Sequence, residues 1–384
     1  MLTTEDVARE ITAAGPGGTT PEALIAVFVN VSRSTLNRRL RELLTAGRIR
    51  SQGRGPATRY LATAPYPEEA VRRYLATDWQ SRPVVGFREE LLLVDPALAT
   101  EKSRRLRQLN AIARPLDKKF LADFLIDFAW ASSLLEGSTY SAIDTQVLIE
   151  YGQRNADKPM ADALLIMNHK NAIEYLWSHR ELSVENLCRL QALLTDRYDL
   201  AEAEESEHFL PDSQRGVPRE YQEVWLGRSA YSPPFRPGTG YLAQALAEVV
   251  STSRKLEPAA AALYLITRLP YLQAFANGNK RTARLAANLP LLGAGMLPIS
   301  FVDFDKVEYV LGMAAFYELG DLQIIERAFI RGYVRSIVRG SDLPPAVRLT
   351  GFPVSETVDE LVAYVHSGRL PRSRSALTFM KATR

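Results

Sequence analysis

The stretch from Pro258 to Leu292 constrains the fold more than any other part of the chain. Leu263, Leu265, Ile266, Leu269 and Leu272 form an apolar run at helical spacing, and after a short polar interruption Leu285, Leu289 and Leu292 line the core face of a second helix. Such a pair predicts a mainly α core. The interruption is Phe275-Ala276-Asn277-Gly278-Asn279-Lys280-Arg281, which runs into the second helix through Thr282, Ala283 and Arg284. A polar, glycine-containing loop at a helix N-terminus offers unpaired backbone N–H groups and the positive end of the helix dipole to an anion. Arg281 and Arg284 are three apart, on neighbouring turns of one face, where they can clamp two phosphate groups. Taken alone, these residues also fit a helix cap with two solvated arginines.

At 384 residues the chain has room for two or three domains. Its composition, 46% hydrophobic and 24% charged, is that of a folded protein, and no apolar run approaches the roughly 20 residues of a membrane span. Cys188 is alone, so no internal disulfide forms, and Met1 leads into the acidic Thr4-Glu5-Asp6 instead of a basic and then apolar leader. These features predict a cytoplasmic protein. His169, His179, His208 and His366 are too far apart for zinc-ligand spacing, and no metal site is expected from them.

Net charge is +3, unevenly spread. Residues 1–30 carry −3, residues 31–61 carry +7 with all eight cations arginine, and the remainder carries −1. Within this N-terminal part, Thr4 is expected to cap a first helix, Thr20 and Pro21 to start a second, and Ser32 a third that Gly47 closes. Leu36, Leu40, Leu43 and Leu44 make the apolar stripe of the third helix, with Ser34, Asn37, Arg38 and Arg41 opposite. These polar types touch phosphates and base edges. Arg48-Ile49-Arg50 and Thr58-Arg59-Tyr60 alternate like two strands around a tip that carries Arg54. Three helices and a basic hairpin resemble a winged helix-turn-helix over residues 1–61, whose third helix would enter the major groove of duplex DNA. The competing readings are a solvated arginine-decorated helix and a module for protein contacts or dimerisation.

Residues 65–120 read as connector and packing helices. From 121 the chain is densely helical and reaches Ser132, Glu136 and Gly137, where a carboxylate at the end of an apolar helix needs a cation or solvent. Gln273 to Arg284 resembles the signature of the Fic family, H-P-F-x-D/E-G-N-G/K-R-x-x-R. Ser132-x-x-x-Glu136-Gly137 resembles that family's inhibitory motif, placed here before the core. The resemblance extends over residues 80–340 and implies an all-α core with a small β-hairpin flap that takes a target protein as an added strand, Tyr221 to Tyr231 with Val224-Trp225-Leu226. With the winged helix as residues 1–64, the domain expected from the resemblance is 121–340, and 341–384 is a C-terminal helix, Ser355 to His366, and a basic tail.

The resemblance implies ATP or another nucleotide as ligand, and it also marks departures. Gln273 stands where active members carry the histidine that takes a proton from the target hydroxyl, and an amide cannot titrate near neutral pH. Asn277 replaces the acid that holds magnesium, which makes a poor magnesium ligand. Gly278, Asn279, Arg281 and Arg284 match the pattern, and Lys280 occurs in members that transfer phosphate with the nucleotide reversed. Residue by residue, this implies a catalytically impaired regulator that binds a nucleotide or phosphate ligand and DNA. The alternatives are a working adenylyltransferase (AMPylator) or phosphotransferase acting on Ser, Thr or Tyr hydroxyls, and a protein-interaction module. By the same resemblance, Glu136 pairs with Arg284 where a terminal phosphate would bind.

Overall fold

A computed structural model describes residues 2–53, 55–63, 65–93, 98–198, 200, 206–342 and 353–382. Arg54 therefore lies outside the described residues. The described chain is mainly α-helical, as expected, and its strands are confined to two small two-stranded sheets. Two compact units are present: Met1–Gly86 with Leu226–Ser232 and Val307–Ile325, and Phe87–Trp225 with Pro233–Lys306 and Glu326–Arg384.

The first unit begins with α1 (Thr4–Ala13), α2 (Pro21–Val27) and α3 (Arg33–Thr45), followed by β1 (Ile49–Gln52) and β2 (Arg59–Ala62), an antiparallel pair in the register Ile49 to Ala62. Thr20 caps α2 ahead of Pro21, and Ser32 caps α3, each hydroxyl accepting an otherwise orphaned N–H. The cap of α1 is Thr3, not Thr4. Thr3 forms a reciprocal capping box with Asp6, while the Thr4 hydroxyl donates to Glu42. Leu36, Leu40 and Leu43 are buried, but Leu44 is 36% exposed, because one residue past Leu43 is about 100° further round the helix.

The core of this unit joins Val7, Ile11, Leu24, Leu36, Leu40 and Ile49 to Val71 of α4 (Glu68–Ala76) and to Leu319 of the helix Lys306–Leu319, so it extends well beyond the hairpin. β3 (Val85–Gly86) pairs in parallel with β4 (Tyr231–Ser232). A buried ion pair lies beside them, Arg82 Nη1 to Glu318 Oε1 at 3.2 Å, and the same carboxylate accepts from the Ser229 hydroxyl and the Ala230 N–H. Tyr221 to Tyr231, expected as a hairpin, has no antiparallel ladder of its own. The backbone of its second arm is already engaged, Ala230 by Glu318 and by the Val85 N–H, and Tyr231 by β3.

The second unit holds α5 (Glu90–Leu93), α6 (Thr100–Leu109), α7 (Lys118–Leu135), α8 (Ala142–Tyr151), α9 (Met160–Ser178), α10 (Val184–Leu194), α11 (Tyr241–Ser253), α12 (Pro258–Leu272), α13 (Asn279–Ala286) and α14 (Asn288–Gly293). Every residue of α12 from Ala259 to Leu272 is buried, the mark of a central helix. It packs against α6, α11, α13 and α14, while α9 packs between α7 and α10. Residues Val354–Ser367 form the expected C-terminal helix. The following stretch, read as a basic tail, forms a further helix, Arg374–Ala382, because Ala376, Phe379 and Met380 recur on one buried face and Glu360 accepts the N–H groups of Arg372 and Ser373 before it.

Candidate functional site

The site is built where α12 ends and α13 begins. Pro270 lies in the last turn of α12, and Gln273 stops the helix in the left-handed region at φ 49°. Its side chain is 8% exposed and occupied at both ends: Nε2 donates to the Pro270 carbonyl at 2.7 Å, and Oε1 accepts from Asn279 Nδ2 at 3.0 Å. Asn279 also accepts from the Phe275 N–H and donates to the Phe275 carbonyl, which fixes the turn. Gly278 caps α13 at φ 77°, and a Cβ there would meet Thr195 Cγ2 at 2.7 Å, so the loop requires glycine. At the start of α13 the N–H groups of Asn279, Lys280 and Arg281 have no intrahelical carbonyl to bond.

Both motif arginines are almost fully buried, at 1% exposure. Arg281 donates through its terminal nitrogens to the Leu194 and His208 carbonyls, each at 2.6 Å, and its Nε is buried with no hydrogen-bond partner among the described residues. Arg284 donates through Nε to Ser132 Oγ at 2.9 Å and through Nη2 to the Ser132 carbonyl at 3.3 Å and to Glu136 Oε1 at 2.5 Å. Burial pushes the Glu136 carboxyl up, but the positive charges of Arg284 and Arg281 and the Arg284 hydrogen bond outweigh it and hold the group at about 2. Glu136 is therefore ionised throughout the neutral range, and it closes α7 as a clasp on Arg284.

Ser132, Glu136, Gln273, Asn277, Gly278, Asn279, Arg281 and Arg284 thus surround one loop, with Lys280 exposed beside it. Sequence reasoning missed three further participants. Arg219, 7% exposed, donates from its backbone to the Ala274 carbonyl and from its side chain to the Gln273, Gln222 and Pro234 carbonyls. Gln191 donates to the Asn277 carbonyl at 2.9 Å. His169, within the apolar run of α9, reaches Ser132. A lone histidine between Leu165 and Ala172 was the signal that could have drawn notice.

Beside the loop, a cleft of about 510 Å³ is lined by Pro218, Arg219, Glu220, Tyr221, Gln222 and Ala276, among others. Of the expected flap residues, Trp225 is 70% exposed, Val224 is half-buried and Leu226 is buried. In the first unit, Ser34, Asn37, Arg38 and Arg41 are all exposed along α3. Neither Arg38 nor Arg41 has an ion-pair or hydrogen-bond partner among the described residues, whereas Arg39 pairs with Glu42 and Arg48 with Glu5.

The residues present suit a phosphate group. Free N–H groups and the helix dipole stand at the start of α13, and the Arg284 guanidinium is held there by an exchangeable carboxylate, while Arg281 adds its charge with its terminal nitrogens taken by the Leu194 and His208 carbonyls. The residues present do not suit magnesium, because the Asn277 oxygen accepts from the Gly278 N–H and its amide nitrogen donates to the Glu207 carbonyl. Among the described residues no three His, Cys, Asp or Glu side chains cluster as metal ligands, and no helix is long and apolar enough to cross a membrane.

Similarity to known proteins falls on the same segment, residues 181–291, which match the Fic/DOC family. No curated protein matches the sequence. Among solved structures, Fic-1 from C. elegans is 20% identical, covering 62% of this chain and 68% of that one with a TM-score of 0.46. A Fic domain containing signaling protein from Bacteroides thetaiotaomicron is 19% identical over 63% of this chain and 98% of its own, TM-score 0.46. A Fic family protein from Desulfovibrio desulfuricans is 17% identical over 78% and 86%, TM-score 0.49. The loop, the buried arginines and the α12–α13 pair all fall within the matched residues or their immediate support, and the chain carries a Fic/DOC-family domain at residues 181–291.

Proposed function

We propose that this protein is a catalytically impaired regulator that binds a nucleotide or another phosphate-bearing ligand at the start of α13 and duplex DNA through α3. The observation that carries the reading is Gln273. It occupies the position of the family's proton acceptor, yet it has no titratable atom, and both ends of its side chain serve to hold the turn. The groups that receive phosphate are retained, so binding survives where proton removal does not. Arg284 is held by Glu136, which makes ligand entry a competition for one guanidinium fork. The exposed Arg38 and Arg41 beside Asn37 and Ser34 support the DNA half. Exposed Tyr221 and Trp225 offer a partner segment an aromatic surface.

Radiolabelled ATP incubated with the full chain and a cell lysate tests the first half. The expected result is saturable ATP binding in calorimetry, strengthened in a Glu136→Gly variant, with no label passed to any protein. Transfer of label by the unaltered chain refutes impairment and makes it a transferase. Failure of every variant to bind ATP refutes the ligand site.

A further inference from the structure

The Arg284–Glu136 pair is the visible end of a longer chain of hydrogen bonds. It starts on α9, at His169, which is 0% exposed. The imidazole Nδ1 lies 2.7 Å from the Leu165 carbonyl oxygen and its Nε2 lies 2.8 Å from Ser132 Oγ, which in turn lies 2.9 Å from Arg284 Nε. With the Arg284–Glu136 pair these links join α9, α7 and α13, and two of them meet at the Ser132 hydroxyl.

The direction of each link is forced. A carbonyl oxygen only accepts, so Nδ1 carries the ring proton, and in the neutral ring Nε2 is then a bare lone pair. The Ser132 hydroxyl must donate to it. With its hydrogen committed to His169, Ser132 Oγ turns its own lone pairs to Arg284, whose guanidinium can only donate. The opposite tautomer would set the Nδ1 lone pair against the Leu165 carbonyl oxygen at 2.7 Å and take from the Ser132 hydroxyl hydrogen its acceptor on His169, and the Ser133 hydroxyl, at a longer 3.3 Å from Nδ1, does not offset that. Ser132 also accepts from Arg284 through its backbone carbonyl, so it grips the guanidinium twice, one helical turn before Glu136 grips it a third time.

We propose that His169 is a positioning residue for the clasp: by orienting the Ser132 hydroxyl it fixes Arg284 in the attitude that meets Glu136, and so sets how readily the site opens to a phosphate-bearing ligand. The last clause rests on the function proposed above, and the rest does not. Burial and the neighbouring charges of Arg281 and Arg284 push the imidazole down to about 3, which keeps it neutral and the relay intact across the neutral range. The charged groups facing Glu136 are Arg284, Arg281 and Lys280 on α13, and the His208 ring also senses its charge. None of these lies between His169 and Ser132, so a change at His169 reaches Glu136 through Arg284.

The test is a carbon-13 NMR titration of the Glu136 carboxyl in the full chain, the resonance being identified by its loss in Glu136→Gln. In His169→Phe, which keeps a ring but no polar atom, the Glu136 midpoint is expected to rise by about one unit, a tenfold change in the proton equilibrium. Ser132→Ala should do the same. His169→Gln, whose amide can donate to Leu165 and accept from Ser132, should recover most of the loss. A Glu136 midpoint unmoved in both His169→Phe and Ser132→Ala overturns the proposal. Should His169→Phe fail to fold, nitrogen-15 spectra of the unaltered chain decide it, since a His169 ring protonated at Nε2 overturns the relay outright.

Calorimetry with ATP adds the functional arm. His169→Phe should bind ATP several-fold more tightly than the unaltered chain and show no gain in a Glu136→Gly background. A gain that persists without Glu136 overturns positioning of the clasp. If the Glu136 midpoint moves as expected while no variant binds ATP, the role of His169 stands and the ligand reading falls.

Discussion

Removing the clasp should reveal how much it costs the ligand site. Glu136 sits at about 2 against an ordinary carboxyl value of 4.5. At about 1.36 kcal/mol per unit, the surrounding cations favour its ionised form by roughly 3 kcal/mol net of the burial that opposes it. A phosphate oxygen that takes Arg284 must displace this carboxylate. Glu136→Gly should therefore tighten triphosphate binding by up to about 3 kcal/mol, on the order of a hundredfold in Kd, with about tenfold as the lower end because Arg281 and Lys280 share the stabilisation. The backbone tolerates the change, since Glu136 closes α7 and glycine does not interrupt a helix there. AMP should gain less, as a single phosphate bound at the start of α13 stops short of Arg284. Calorimetric titration of ATP and AMP into the unaltered chain, Glu136→Gly, and Glu136→Gly with Arg284→Ala measures all of this. Equal gains for both nucleotides, or a gain that survives without Arg284, would refute the competition.

Other consequences can be measured separately. Arg38→Glu with Arg41→Glu should abolish binding to a random-sequence duplex while leaving the thermal midpoint nearly unchanged, since both side chains are exposed; single changes to alanine should each lower the log–log salt slope by about 0.9, and an unchanged slope excludes phosphate contact. Gly278→Ala, forced to φ 77° and against Thr195 Cγ2, should lose about 1–3 kcal/mol in urea unfolding, so a neutral result would show that the loop is not the constrained element described. His169 titrates near 3 in the folded chain and 6.5 when unfolded, so the unfolded state binds more protons between these values and stability should fall as pH drops from about 6.5 toward 3, by at most about 1.4 kcal/mol per unit. Equilibrium unfolding at pH 7, 6 and 5 should show that loss, and His169→Gln should flatten it. Arg82→Ala strands the buried Glu318 charge and should cost roughly 3 kcal/mol or more, whereas Arg82→Met with Glu318→Gln should recover much of it.

What the sequence made legible was local. Thr20-Pro21, Ser32 and the polar loop at 275–284 write their own helix starts, because a cap is a bond between residues two or three apart. Even there a reciprocal partner decided between Thr3 and Thr4, and one step of helix rotation separated Leu43 from Leu44. The role of Arg281 was harder to read: a buried guanidinium near a phosphate loop suggests a clamp, yet its terminal nitrogens are held by the carbonyls of Leu194 and His208, groups every residue has and no pattern marks. The role of His169 was hidden for a different reason. Its partner Ser132 is 37 residues away on another helix, and only packing brings them together. In the segment from Tyr221 to Tyr231, the hydrogen bonds of the second arm go to Glu318 and Val85, both distant in sequence and marked by no local pattern.

The amide of Asn277 restricts which side chain can stand at its position. Its nitrogen donates to the Glu207 carbonyl and its oxygen accepts from Gly278. An aspartate in its place keeps the second bond, but it turns two acceptors toward each other at the first. Gln273 is similar, since its amide donates at one end and accepts at the other, and an imidazole must match both partners at once. Gln273 and Asn277 are thus structural members of the turn. A Gln273→His, Asn277→Asp double variant therefore meets a turn built around two amides, and it is accommodated only if the Glu207 and Asn279 contacts change with it.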